Sequence, residues 1–317
     1  MKKRFPVLII GYLRFERIKV CIDKLVSFGI SDIYLAVDRA KNDQDFEKQK
    51  EMCIELEAKY QSGDIKLHIW HRSTNLGVAV SVITAVDWFF LHNNSGIILE
   101  DDIEFEEDFI SFCEQAWDKY EKMDNIWMVS GSNFMKDTNG LDVEFLNYPM
   151  IWGWCSSSEK WERIRKIYDH KPSIKIKDWL IPKRTYFLVG AIRANSQLVD
   201  TWDIQIANEM LKVGAFSVLP PVNLVCNKGF DDKAIHTIEE VFPLDLKINR
   251  LELSKIGFIS IDRAQAIKAN HFYEQEVFRI GNHHWISLFR VAFRNLLFRR
   301  SKYSLKSKLT VVELPGG

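Results

Sequence analysis

Short, continuous apolar runs recur along the first part of the chain at Val7–Ile10, Ile33–Val37, Ile65–Trp70, Gly96–Leu99 and Ile126–Val129. Between them lie segments with helical spacing. Ile18, Ile22, Leu25 and Val26 form one apolar stripe, and Phe109, Phe112, Ala116, Trp117 and Tyr120 form another. Glu106, Glu107 and Asp108 sit where that second helix should begin, the end its dipole favours for negative charge. Strands that are apolar on both faces, alternating with amphipathic helices, predict an α/β fold with a mainly parallel sheet flanked by helices.

Composition narrows the class. The chain has 317 residues, 47% of them hydrophobic, which allows one large or two ordinary domains around a sizeable core. Only 8 prolines and 15 glycines occur, which excludes disordered and collagen-like chains. The 43 basic and 43 acidic side chains cancel, so nothing in the overall charge would hold the chain to nucleic acid. Cys21, Cys53, Cys113, Cys155 and Cys226 are odd in number and scattered, with no CxxC pair. They predict buried free thiols in a reducing compartment rather than disulfides or a zinc site. Lys2, Lys3 and Arg4 before Val7–Ile10 imitate a signal peptide, but Arg14, Glu16 and Arg17 interrupt the apolar run too early. No stretch is long enough to span a bilayer, so a cytoplasmic protein is expected.

From about Tyr148 the alternation loosens. Trp152, Trp154 and Trp161 cluster, helices are predicted from Ser158 to Tyr168 and from Asn195 to Val213, and a strand at Phe216–Leu219 runs into Pro220-Pro221. This half is read as an extension that completes a cleft. The expected organisation is a catalytic domain over 1–240, an extension over 241–284 and an amphipathic basic tail over 285–317. No acidic residue lies between Glu276 and Glu313, while Arg290, Arg294, Arg299, Arg300, Lys302, Lys306 and Lys308 all do. Two readings fit this tail. It is either a docking helix with a solvated basic end, or an interfacial helix that holds residues 285–308 on an anionic membrane surface.

Ligands of open α/β sheets bind beyond the carboxyl ends of the strands. Here those ends carry Gly11–Arg14, Asp38-Arg39, His71–Gly77 with Asn75, and Glu100-Asp101-Asp102. Three adjacent carboxylates repel one another unless a cation is near. A divalent ion held by one or two of them, with diphosphate and water completing its shell, provides that charge. Asp102 is the expected metal ligand, with Asp101 or Glu100 on ribose or sugar hydroxyls; the plainer alternative is a solvated acidic turn. Trp202-Asp203 opens a predicted helix (Asp203-Ile204-Gln205-Ile206), and Asp203 there is either a general base or a helix-terminal charge. The loop Asn227–Thr237, with Asp231, Asp232, Lys233 and His236, suits a diphosphate, or is an ordinary surface loop.

Taken in order, these segments resemble GT-A-fold (Rossmann-like) nucleotide-sugar glycosyltransferases, nearest to the N-acetylglucosaminyltransferase I-like group and its bacterial surface-polysaccharide members. The likeness runs through Pro6–Ile10 with Arg14, Cys21–Leu25, Ala36-Val37-Asp38, Ile98–Asp102 with Asp108-Phe109, Trp152-Gly153-Trp154, Trp202-Asp203 and Gly229–Thr237. It implies that Arg14 and Asp38 contact the base or ribose, and that Asp102 ligates manganese or magnesium bridging the donor diphosphate. Glu100, Asp101, Asn75, Lys233 and His236 would serve donor binding. The family's base lies in a Trp-Asp-Asp segment; this chain reads Trp202-Asp203-Ile204, so Asp203 is the choice and Asp231 and Asp232 are reserves. Trp152 and Trp154 would stack on acceptor sugars, or else pack in the core.

The implied activity is inverting, metal-dependent transfer from a nucleoside-diphosphate sugar, UDP favoured, to a glycan or lipid-linked glycan acceptor. The eukaryotic relatives' membrane anchor is lacking, and the basic tail could take over its positioning role at the inner face of the membrane. Two alternatives stand beside this. One is a nucleotidyltransferase, although Gly11–Arg14 is poorer in glycine than a triphosphate-gripping loop. The other is a catalytically silent sugar-binding scaffold.

Overall fold

The computed structural model describes residues 4–60, 63–135, 141–170, 172, 181–229, 246–280 and 305–315. Each apolar run becomes a strand: β1 (Val7–Gly11), β2 (Asp32–Val37), β3 (Lys66–His71), β4 (Ser95–Glu100) and, after the short β5 (Ile103–Phe105), β6 (Ile126–Ser130). Helices α1 (Phe15–Ser27), α2 (Asp43–Tyr60), α3 (Val78–His92) and α4 (Glu107–Tyr120) connect them. The later elements are β7 (Glu144–Leu146), β8 (Trp154–Ser157), α5 (Ser158–Asp169), α6 (Pro182–Asn195), α7 (Asp203–Val213), β9 (Phe216–Leu219), β10 (Val225–Asn227) and α8 (Arg263–Phe272).

Among the described residues one eight-stranded sheet runs in the order β3-β2-β1-β4-β8-β6-β9-β7. β3, β2, β1 and β4 are parallel neighbours, as are β6 and β9. β8 inserts antiparallel between β4 and β6, and β7 closes the edge antiparallel to β9. The fold is therefore α/β with a mostly parallel sheet, as the periodicity predicts. Both halves of the chain contribute strands to it.

Strand alternation divides the core into two layers. Val7 and Ile9 point into a cluster with α1 and α4, through Ile18, Leu25, Phe109 and Trp117. Leu8 and Ile10 point the other way, toward Ile83, Phe89 and Ile164 of α3 and α5. Each such fully buried aliphatic side chain contributes about 1.5–3 kcal/mol relative to exposure. All five cysteines are buried free thiols. Burial pushes the Cys21 and Cys53 thiols up to about 12.

One element differs from expectation. The helix predicted over Asn195–Val213 is interrupted: α6 ends at Asn195 and α7 begins at Asp203. Gln197 takes a left-handed conformation (φ 55°), and Trp202 is pulled into the core, 3% exposed and stacked on Trp154 at 6.0 Å. The Tyr168 hydroxyl donates to the Trp202 carbonyl at 2.6 Å, which fixes where α7 starts.

Of the basic tail, residues 281–304 lie outside the described residues, and with them most of the segment 285–308 read as a membrane contact. The short helix Leu305–Leu309 is described, and it packs on the core. Leu305 and Leu309 are 3% and 5% exposed, in the layer formed with α3 and α5. Among the described residues no helix is long and apolar enough to cross a membrane.

Candidate functional site

The carboxyl ends of β1, β2 and β4 open into one cavity of about 350 Å³, closed on a further side by the loop into α3. Glu100, Asp101 and Asp102 form its acidic wall. The three carboxylates, though adjacent in sequence, have different surroundings.

Asp101 is a clasp. One oxygen accepts from the Tyr12 backbone N–H at 2.8 Å, the other from Arg14 at 3.0 Å, so it ties the turn after β4 to the turn after β1. Burial raises its pKa, and Arg14 and the Tyr12 N–H oppose that rise. Arg14 also reaches Asp102 Oδ2 at 3.4 Å and donates to the Gly229 carbonyl at 3.2 Å.

Asp102 is left partly unsatisfied. Its Oδ1 is buried and accepts no hydrogen bond among the described residues. Burial first, then the neighbouring Asp101 charge, pushes its carboxyl up to about 6 against the pull of Arg14 and Arg17. The antiparallel ribbon of β5 and β10 brings Asn227–Gly229 across this turn, where the Lys228 N–H donates to the Asp102 carbonyl at 2.8 Å. A Cβ at Gly229 would collide with Asp102 Oδ2, so only glycine allows the backbone this close.

Glu100 ends β4. Burial, then the charges of Asp102, Asp101 and Asp203, hold its carboxyl well above the usual range. The Asp203 charge adds to that rise from about a hundred residues away in sequence, but Asp203 is not among the residues lining the cavity. It occupies the first turn of α7, with Trp202 buried behind it and the Thr201 hydroxyl donating to its Oδ1.

The other predicted donor contacts sort differently. Asp38 lines the cavity, but both its oxygens accept from the loop into α3: Leu76 N–H at 3.0 and 3.1 Å, Gly77 N–H at 3.2 Å and Asn75 Nδ2 at 3.3 Å. Asp38 and Asn75 therefore shape this loop while standing on the cavity wall. Trp154 is 1% exposed within β8, so the expectation that it stacks on an acceptor sugar is corrected: its ring is covered by Trp202 and Trp161. Trp152 is half-buried, with its ring 5.1 Å from Phe134. Asp231, Asp232, Lys233 and His236 lie outside the described residues.

Three lining residues were not anticipated as site residues. Asp200, from the α6–α7 turn, accepts from the first N–H groups of α3 (Val78 at 2.8 Å, Ala79 at 2.9 Å), and Gly77 (φ 78°) leaves room for it. Lys41 and Lys308 stand on the same cavity. No local pattern marks any of the three.

Among the described residues no group of three or more His, Cys, Asp or Glu side chains is arranged to hold a metal by itself. A buried carboxylate oxygen without a donor, in a wall of mutually repelling carboxylates, nevertheless fits a divalent ion that takes its remaining ligands from phosphate oxygens and water.

No family model and no curated protein matches the chain. Solved structures that superpose on it include the inositol-1-phosphate CTP transferase from T. maritima (9% identity, TM-score 0.39, covering 69% of this chain and 85% of that one). The UDP-glucose pyrophosphorylase from Acinetobacter baumanii gives 10% identity and a TM-score of 0.37, over 71% of this chain and 88% of that one. A 4-diphosphocytidyl-2C-methyl-D-erythritol synthase from Anaerococcus prevotii gives 12% and 0.36, over 67% and 100%. At scores and identities this low, the likenesses carry no argument about activity or substrate.

Proposed function

We propose that the chain is a metal-dependent, inverting glycosyltransferase that moves a sugar from a nucleoside-diphosphate donor, UDP favoured, to a glycan or lipid-linked glycan acceptor. The observation that carries this reading is Asp102: a buried carboxylate with an oxygen that nothing in the described structure satisfies, on the wall of a strand-end cavity. Asp102, with Glu100 beside it, would hold manganese or magnesium. Bound there, such an ion neutralises negative charge on the departing diphosphate.

The chain's own residues then divide the remaining work. Arg14 and Asp101 tie the turns after β1 and β4 together, which holds Asp102, the next residue, on the cavity wall. Asp203, at the start of α7 and felt electrostatically at Glu100, takes the proton from an acceptor hydroxyl as that oxygen attacks the anomeric carbon opposite the leaving group. Trp202, locked under Tyr168 and Trp154, keeps Asp203 in place. The nucleotidyltransferase alternative is weakened by one contact. The Tyr12 N–H, in the turn where a triphosphate grip would be needed, is already bound to Asp101.

The test is a thermal-shift panel of nucleotide sugars with and without manganese. A rise in melting temperature for one donor, only in the presence of the ion, is the expected result. Equal shifts without metal, or none for any nucleotide sugar, would overturn the proposal.

A further inference from the structure

The last described helix reaches the cavity from the far end of the chain. Leu305 and Leu309, four residues apart, lie on one helical face and are buried against the core layer that contains α3. Lys308 sits on the shoulder of that face. It lines the cavity beside Val78, Ser81 and Val82 of α3, while its backbone is held by the two leucine anchors.

Charge in the cavity is unevenly committed. Asp38 and Asp200 face backbone N–H groups, and Arg14 is tied to Asp101, Asp102 and the Gly229 carbonyl. Glu100 and Asp102 make up the carboxyl end of the cavity, with Arg14 3.4 Å from Asp102. Lys41 and Lys308 remain as cations that make no ion pair among the described residues, and both are exposed toward solvent. A ligand bound here meets carboxylates at one end and two ammonium groups elsewhere on the wall. An anionic ligand cannot sit against the carboxylates alone, and the first N–H groups of α3, a ready anion site, are already taken by Asp200.

We infer that Lys308 is a ligand-binding residue: together with Lys41 it grips the diphosphate of the nucleotide, so the carboxyl-terminal helix completes the donor site. This rests on the donor reading above. It gives the basic end of the chain a second task, as a wall of the cavity whose anchoring depends on two buried leucines. A lysine serves phosphate as a mobile point charge with three donors, and arginine at the same place would keep the charge.

The experiment is calorimetric titration, with manganese present, of UDP, GDP, ADP, CDP and dTDP into the full chain, followed by the matching nucleoside of the tightest binder. Lys308→Ala should weaken that diphosphate about tenfold or more, the range expected for losing a charged hydrogen bond. Nucleoside affinity should be unchanged, Lys308→Arg should restore diphosphate binding, and Lys306→Ala, on the same short helix but away from the cavity, should have no effect. Because Lys308 is an exposed side chain, an unchanged melting temperature checks that the variant folds. If Lys308→Ala binds the diphosphate as tightly as the parent, or loses nucleoside and diphosphate equally, the inference is overturned while the donor reading stands. If the parent chain binds none of the five diphosphates, the donor reading falls and this inference falls with it.

Discussion

Two acids at the ends of the strands that flank β1, Asp38 after β2 and Asp102 after β4, look alike until their partners are compared. Both line the same cavity, and burial pushes both carboxyls up to about 6. Asp38 is surrounded by donors: the Leu76 and Gly77 N–H groups and the Asn75 amide converge on its two oxygens. Asp102 has a distant contact with Arg14 on one oxygen and nothing in the described structure on the other. The first is a structural tie that shapes the loop into α3. The second is held in place by its neighbours, with a buried oxygen that no donor among the described residues fills. An elevated pKa therefore does not by itself distinguish a ligand-binding acid from a loop-forming one. What distinguishes them is whether donors of the protein already fill the oxygens.

The contrast can be broken by exchange of single atoms. Asp102→Asn should lower sugar transfer by a factor of about 10³ and abolish metal-dependent donor binding, a loss typical of removing one key charge-stabilising group. Full activity of the parent in excess chelator would remove the reason for singling out Asp102. Asp203→Asn should reduce turnover about 100-fold while donor affinity stays at the parent value, because only proton removal is affected. A change in donor affinity without a change in turnover would move the base elsewhere.

Stability should sort the same two acids the other way. Asp38→Asn places an amide against backbone donors and should cost about 3 kcal/mol in urea unfolding at neutral pH, while Asp102→Asn costs little or nothing. Equal losses would erase the distinction between tie and open acceptor. The smallest expected effect is a pH dependence. Asp38 has a folded pKa of about 6 against an ordinary 3.8, so its contribution to stability is fully present below pH 3.8 and is lost as pH rises through 6. The parent should accordingly gain about 2 kcal/mol relative to Asp38→Asn between pH 7 and pH 4. A gap that is constant or shrinks toward pH 4 would contradict the raised value.

Much of the sheet was legible in the sequence because burial on two faces forces unbroken apolar runs, and β1, β2, β4, β6 and β9 fall within a residue or so of those runs. The short strands β5, β7, β8 and β10 were not. Three or four residues carry too little period, and β8 is held in the sheet by antiparallel pairing to β4 and β6 rather than by its own pattern, Trp-Cys-Ser-Ser. The break between α6 and α7 was half legible: Trp202-Asp203 reads as a helix start, and α7 does begin at Asp203, but nothing local ends the preceding helix at Asn195. Asn195–Val213 has helix-compatible spacing, and it is the burial of Trp202 that halts and restarts the helix. At the site, the acidic triplet and Trp202-Asp203 were visible as motifs. Asp200 and Lys308 were not, since each acquires meaning only from α3, which is more than a hundred residues away in sequence.

By itself, then, the sequence determined the alternation of strands and helices, the apolar faces and the place where carboxylates accumulate. These follow from side-chain periodicity and from the polarity change at a strand's end, both properties of neighbouring residues. Tertiary structure alone decided which carboxylate is tied and which is open, that Trp154 is core rather than surface, and that a lysine from the chain's end stands on the cavity wall. Hydrogen-bond partners and electrostatic surroundings are set by what folding brings within a few ångströms, and no local pattern encodes them.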